Sequence, residues 1–257
     1  MSKHSVEIGV KILLIFIVII FIFILLVKRF VYFRPSSTFL QKQEKYQIIK
    51  HGHLHGWLLE NKQSDKIILL CNGNTGNMSY NQGKIISLKN LGFSVLAFDY
   101  SGYGNSGGVP TEQQLYDDAS SITALIRKTY NQEKIIIYGE FLGGSVATYV
   151  ARKYSIPTLI LESPVPSIKE MIKNKYPMIF FLSFLFPEFD TASYLNGYRG
   201  KSLILYSPTD KISYDSLNVL IQLSSEKIQI DDQSCIPWDK IKEFIDLSTG
   251  NLNNNSY

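Results

Sequence analysis

Histidine is confined to the first fifth of this 257-residue chain: His4, His51, His53 and His55 are the whole set. A reaction that needs an imidazole base must draw it from those N-terminal segments or do without one. Cysteine is nearly absent too. Cys71 and Cys235 are too few for a disulfide framework, and Cys71, which closes an apolar run, reads as a buried thiol. Neither sign of charge is in large excess, with a net charge of +4 at pH 7 and a pI near 8.8. Lys11, Lys28, Arg29 and Arg34 crowd around one apolar run, so nothing marks a nucleic-acid footprint and no nucleic-acid partner is expected. No internal repeat is present. The length suits one large α/β domain or two small ones.

Ile12 to Val27 holds no polar residue, and Lys11 and Lys28 bound it with stems long enough to snorkel. With its apolar flanks the run reaches about the 20 residues that cross a hydrocarbon core. A cleaved signal peptide is the competing reading. It is disfavoured by the length of the run and by Lys28-Arg29-Phe30-Val31-Tyr32, which offers no small-residue cleavage site. Residues 1–33 therefore read as a single-pass anchor with the lipid bilayer as its partner. Lys28, Arg29, Arg34, Lys42 and Lys45 follow the span, against Lys3 and Lys11 before it, which favours a cytoplasmic domain. Asn77-Met78-Ser79 and Asn254-Asn255-Ser256 are glycosylation sequons, a weak signal alone.

Residues 34–45 read as a juxtamembrane linker, 46–249 as one domain and 250–257 as a disordered tail. Tyr46–Ile49 and Trp57–Glu60 suggest a hairpin. His51, His53 and His55 alternate on that segment, which would put three imidazoles on one strand face, either as a zinc site or as an exposed polar edge. The polar edge is the preferred reading, and no metal or other cofactor is assigned. Apolar strands then alternate with helical patterns. Strands are expected at Lys66–Cys71, Ser94–Phe98, Lys134–Tyr138, Thr158–Glu162, Ser202–Tyr206 and Lys227–Ile230. Helices are expected at Ser79–Asn90, Thr111–Tyr130, Leu142–Lys153, Ser213–Leu223 and Pro237–Leu247. In the second, Leu115, Ala119, Ile122 and Ile126 share a face and Thr111 is a natural N-cap. This alternation predicts a mostly parallel, doubly wound α/β sheet, whose ligands bind beyond the carboxyl ends of the strands.

Gly139-Glu140-Phe141-Leu142-Gly143-Gly144 joins one such strand to a helix, the context of a G-x-S-x-G nucleophile elbow. The nucleophile position holds Phe141. Upstream, Asn72-Gly73-Asn74-Thr75-Gly76-Asn77 resembles the His-Gly-Asn-x-Gly-Asn loop of α/β-hydrolases. Asp99-Tyr100-Ser101-Gly102-Tyr103-Gly104-Asn105-Ser106-Gly107-Gly108, followed by Pro110-Thr111-Glu112, is similar to their glycine-rich segment. Leu161-Glu162-Ser163-Pro164, Phe189-Asp190-Thr191 and Ser207-Pro208-Thr209-Asp210 continue the match in order. Residues 40–248 are thus identified with the α/β-hydrolase superfamily, closest to its membrane-anchored ABHD13/ABHD17/Bem46-like group. The resemblance implies an α/β-hydrolase fold with a small cap insertion, and many members act on esters, thioesters or lipids. It makes Asp210 the triad acid, and it makes the backbone N–H groups of Asn74 and Leu142 the oxyanion-hole donors. Asn72, Gly73, Gly139, Glu140 and Gly143 would line the pocket loops.

The chain departs from the family at Phe141, at Asn72 in place of histidine, and near Asp231–Cys235, where the family histidine belongs and none is found. A serine needs a base to become a nucleophile, and the triad takes that base from histidine. Ser145 reads as packing, Ser106 as loop structure and Cys71 as inert without a neighbouring base. Glu140 is a conceivable base on water. Asp210, Asp231 and Asp232 could converge as a carboxylate cluster able to hold a metal, but Asp231 and Asp232 read more simply as solvated surface. The apolar stretch Pro177–Phe186 lies in the cap, as packing or as a lipid-facing surface. The expectation is a non-catalytic pseudohydrolase that binds an acyl or lipid ligand or a protein partner. An ester, thioester or lipid hydrolase with a rearranged site is the alternative.

Overall fold

The computed structural model describes residues 3–31, 36–41, 44–175, 177, 184, 186–208, 214–231 and 235–250. Helix α1, Lys3–Val31, carries the apolar run, and its Val6–Phe23 stretch is long and apolar enough to cross a membrane. A hairpin follows, β1 Gln47–His51 and β2 Leu54–Leu59. Then come β3 Ile67–Cys71, α2 Gln82–Asn90, β4 Ser94–Asp99, α3 Glu112–Ile126, β5 Ile135–Glu140, α4 Gly143–Lys153 and β6 Thr158–Glu162. After α5 Ile168–Lys175 and α6 Thr191–Asn196 the chain returns through β7 Lys201–Tyr206, α7 Tyr214–Leu223, β8 Glu226–Gln229 and α8 Trp238–Ser248.

Among the described residues the strands form one eight-stranded sheet in the order β1-β2-β4-β3-β5-β6-β7-β8. β2 pairs antiparallel with β1 and β4, and every later pair is parallel. Alternation sends Ile67, Leu69 and Cys71 of β3 to one side and Ile68 and Leu70 to the other. The first set packs with α3, α4 and α7, the second with α2 and α8. Both faces are covered, which is why the central strands are continuous apolar runs. On α3, Leu115, Ala119, Ile122 and Ile126 are all buried, and Thr111 caps the helix by accepting from Gln114 N at 3.1 Å.

Two expectations need correction. The helix from residue 79 opens instead with a 3-10 turn, Met78–Asn81, because the Asn77 side chain accepts from Ser79 N and draws the first turn tight. The hairpin turn is Gly52-His53, with Gly52 at φ +60. His51 pairs with Leu54 and Lys50 with His55, so His51 and His55 occupy neighbouring rungs and point to opposite faces. The three imidazoles therefore share no strand face. The linker is also more than a spacer. Asn77 Nδ2 donates to Ser36 O and Thr38 O at 2.7 and 3.0 Å, Ser36 N donates to Gly76 O at 3.2 Å, and Leu40 N donates to Ser79 Oγ at 2.9 Å. Ser36–Gln41 is a strap laid on the loop after β3. The first sequon therefore falls on a buried amide with both donors used, while the second, like the 251–257 tail, lies outside the described residues.

Removing the knot of this strap tests its weight. Asn77→Ala loses two buried donors and the Ser79 acceptor, so unfolding of the detergent-solubilised chain should shift down by about 1–3 kcal/mol. An unchanged midpoint would show that the strap contributes nothing.

A second prediction concerns Asp99 at the end of β4. Burial pushes its carboxyl up to about 6, against the opposing hydrogen bonds from Met78 N and Asn105 N. The folded chain thus holds a proton that the unfolded chain releases near pH 4. Asp99 lowers stability as pH rises from about 4 to about 6 and leaves it level above, a total of about 3 kcal/mol. Asp99→Asn should remove that part of the slope, measured as the parent-minus-variant difference in unfolding free energy across those pH values.

Candidate functional site

The carboxyl ends of β3, β5 and β6 converge on the turn between β5 and α4. Phe141 occupies its apex at φ +51, the left-handed region that a residue with a Cβ rarely adopts. Its N donates to Glu162 O at 2.9 Å, and its O accepts from Gly144 N at 3.0 Å and Val165 N at 3.4 Å. Glycines make the turn possible. A Cβ on Gly143 would overlap the carbonyl oxygens of Cys71 and Asn72, and one on Gly139 would come 2.5 Å from Ala147 Cβ. Gly73 lies across the loop, where a Cβ would sit 3.6 Å from that of Phe141. Leu142 is buried, and among the described residues its N–H, at the head of α4, has no acceptor. Asn74 is buried on the facing loop, its carbonyl 3.5 Å from Tyr103 Oη.

Below the elbow lies a polar cluster that the sequence did not reveal. Lys84 on α2 places Nζ 3.1 Å from Glu140 Oε2 and 2.5 Å from Glu162 Oε2. Tyr138 Oη donates to Glu162 at 2.6 Å, and Asn81 Nδ2 bridges Glu140 and Asn72 at 3.0 and 2.9 Å. Asn72 Nδ2 donates to Phe98 O at 2.8 Å, so this departure from histidine becomes an amide clamp between β3 and β4. Burial pulls the Lys84 ammonium down, but the two carboxylates outweigh it and its pKa is raised. Burial pushes Glu162 up, with Lys84 pulling partly against it. Lys84 is thereby held as a cation, and Glu140, which looked unpartnered in sequence, is fixed to Lys84 and Asn81. No local pattern announces this cluster, because Lys84 meets partners 56 and 78 residues away.

The remaining candidates are structural in this arrangement. Ser145 is fully buried with Oγ 3.0 Å from Tyr116 Oη. Ser106 Oγ donates to Asp99 O at 2.6 Å and accepts from His55 N at 2.9 Å, closing the glycine-rich loop. Burial pushes the Cys71 thiol up to about 12, so it stays protonated. Asp231 is exposed, whereas Asp210 and Asp232 lie outside the described residues.

A Ser, His and Asp do meet elsewhere. His53 Nε2 lies 2.7 Å from Ser101 Oγ, which lies 3.0 Å from Asp118 Oδ1. The order is not that of a triad, because serine and not histidine stands in the middle. The Asp118 carboxylate accepts the serine's own proton, and the His53 imidazole lies 3.5 Å from that same Oδ1. Ser101 is also fully buried, and its N–H is fixed to Asp118 Oδ2 at 2.7 Å. The set ties the hairpin turn to α3.

Comparison with known proteins agrees with this geometry. The family model described as serine aminopeptidase, S33, matches residues 62–217. An uncharacterised membrane protein of Saccharomyces cerevisiae is 33% identical over 143 residues, covering 53% of this chain and 50% of its own. Lysophosphatidylserine lipase ABHD12 of Danio rerio is 29% identical over 196 residues, covering 73% and 48%. The chain spans about half the length of the curated relatives it matches. Among solved structures, an esterase of Pyrococcus furiosus superposes with a TM-score of 0.67 at 18% identity, over 84% of this chain and 97% of that one. The chain belongs to the α/β-hydrolase superfamily, in the family described as serine aminopeptidase, S33.

Proposed function

We propose that this protein is a membrane-anchored pseudohydrolase, which binds an acyl or lipid ligand, or a protein partner, at an elbow that no longer performs acyl transfer. One observation carries the reading. The elbow backbone is built in full, and the side chain at its apex is a phenyl ring with no atom able to attack a carbonyl. The histidine record agrees: no imidazole follows His55, and His53 is engaged with Ser101 away from the elbow. Lys84 is no substitute base, since two carboxylates hold it protonated.

What persists is the capacity to hold a polarised carbonyl. The backbone donor at Leu142 is indifferent to the side chain at position 141, and a donor set of this kind stabilises oxygen charge without needing a nucleophile. The lipase and esterase names among the relatives support an acyl or lipid ligand as the class to test. The apolar α1 supports a location at the bilayer.

The reading predicts that a serine-directed fluorophosphonate leaves the full chain unlabelled in detergent, while a fluorescent long-chain fatty acid binds saturably. Robust labelling abolished by changing one particular serine would overturn it. Restoring the nucleophile alone should also fail. In a triad, loss of serine or histidine singly is about as severe as loss of both, so ester turnover by Phe141→Ser should stay within about tenfold of the parent. Strong turnover by that single variant would mean that another residue serves as the base.

A further inference from the structure

We propose a second membrane contact at Phe184 and Phe186, with these two rings entering the same leaflet that α1 crosses. Lys28 closes the apolar run in sequence, so α1 leaves the hydrocarbon at about this residue. Phe23 lies five residues earlier, so at 1.5 Å per residue it sits about 7.5 Å deeper along the helix. Phe186 meets Phe23 edge to face, with ring centroids 6.0 Å apart. A domain residue that touches the helix at that level is below the headgroups, at the depth where interfacial apolar groups are buried, about 5–10 Å.

The exposure pattern supports the same occupant. Phe184 is 73% exposed, more than any large apolar side chain along Val6–Phe23. An aromatic ring so bare lies two residues from one already against the anchor. The strap supplies the second constraint. Val31 ends the helix and Ser36 is already bonded to Gly76, so five residue steps of at most about 3.6 Å each hold the loop within about 18 Å of the helix end. The domain is therefore tied to α1 at two places, the strap and Phe186.

The elbow is joined to the base of the cap by hydrogen bonds. Val165, at the base of the cap, donates to Phe141 O, and Thr191 Oγ1, where the chain leaves the cap, donates to Val165 O at 2.5 Å. Glu112 fixes the return by accepting from Glu188 N and Phe189 N, each at 2.7 Å. A cap seated in the leaflet places the approach to Phe141 beside lipid. The inference rests on the α1 contact and the strap, and holds whether or not the elbow binds a ligand.

The experiment uses the full chain in phosphatidylcholine vesicles with Cys235→Ser, leaving the buried Cys71 in place. An environment-sensitive nitrobenzoxadiazole label is attached to Phe184→Cys. The same label at Val18→Cys reports the middle of α1, and at Lys128→Cys it reports the opposite end of the sheet. Lipids carrying a nitroxide near the headgroup end of the chain should quench position 184 at least about threefold more than position 128, with blue-shifted emission, as for a group in the interface. Nitroxides deep in the chain should quench position 18 most. If position 18 is quenched while 184 behaves like 128, the anchor stands and the cap contact is overturned. Shielding at 184 that depends on protein density and not on the nitroxide would assign the face to a second copy and overturn the proposal equally.

Discussion

The fold at the site depends on one close approach, that of Gly143 to the carbonyls of Cys71 and Asn72. No side chain fits between α4 and the end of β3 there, because even a Cβ would overlap both oxygens. That contact sets how near the helix lies to the sheet and fixes where Leu142 N–H points. It leaves the chain too little room to turn from β5 into α4 without a left-handed residue. Phe141 takes that conformation, and the hydrogen bonds at its N and O join the turn to β6 and to the segment leading to the cap. Strand ends, helix start and cap base are thus one mechanical unit.

The buried charges beneath it serve the same unit. An ion pair removed from water gains little unless every polar group finds a partner. Here Lys84 meets Glu140 and Glu162, Tyr138 completes Glu162, and Asn81 completes Glu140 while reaching Asn72. The cluster spans α2, β3, β5 and β6. It fixes Glu140, the residue immediately before the apex, by holding one carboxylate oxygen between the Lys84 ammonium and the Asn81 amide.

The sequence was legible wherever structure is set by short-range pattern. Continuous Ile and Leu runs gave β3, β5, β6 and β7 to within a residue or two at each end, because strands covered on both faces admit little else. The elbow and its glycines were readable as a motif since steric demand ties them to fixed spacing. Three things were not legible. The histidine pattern His51, His53, His55 has the spacing of one strand, but the tight turn at Gly52-His53 reverses the chain through its middle. The polar 34–45 segment looked like a spacer, and its docking depends on an asparagine about 40 residues away. Lys84 lacked any local sign because its carboxylates arrive on β5 and β6 only when the sheet assembles.

Backbone strain at an active site is usually read as part of catalysis, but here packing and backbone hydrogen bonds are enough to account for it. A non-glycine residue in the left-handed region costs about 1–3 kcal/mol and persists when its surroundings over-determine it. At Phe141 the backbone surroundings do so whatever the side chain is. The turn is demanded by the approach of Gly143, it is held by three backbone hydrogen bonds, and the segment at Val165 is hung from its carbonyl. Relaxing the apex would release α4 and the cap base together, at a larger loss than the strain itself. The strained elbow is therefore an architectural necessity of this fold that a nucleophile can exploit. Its survival marks the packing of α4 on the sheet and does not by itself mark an enzyme.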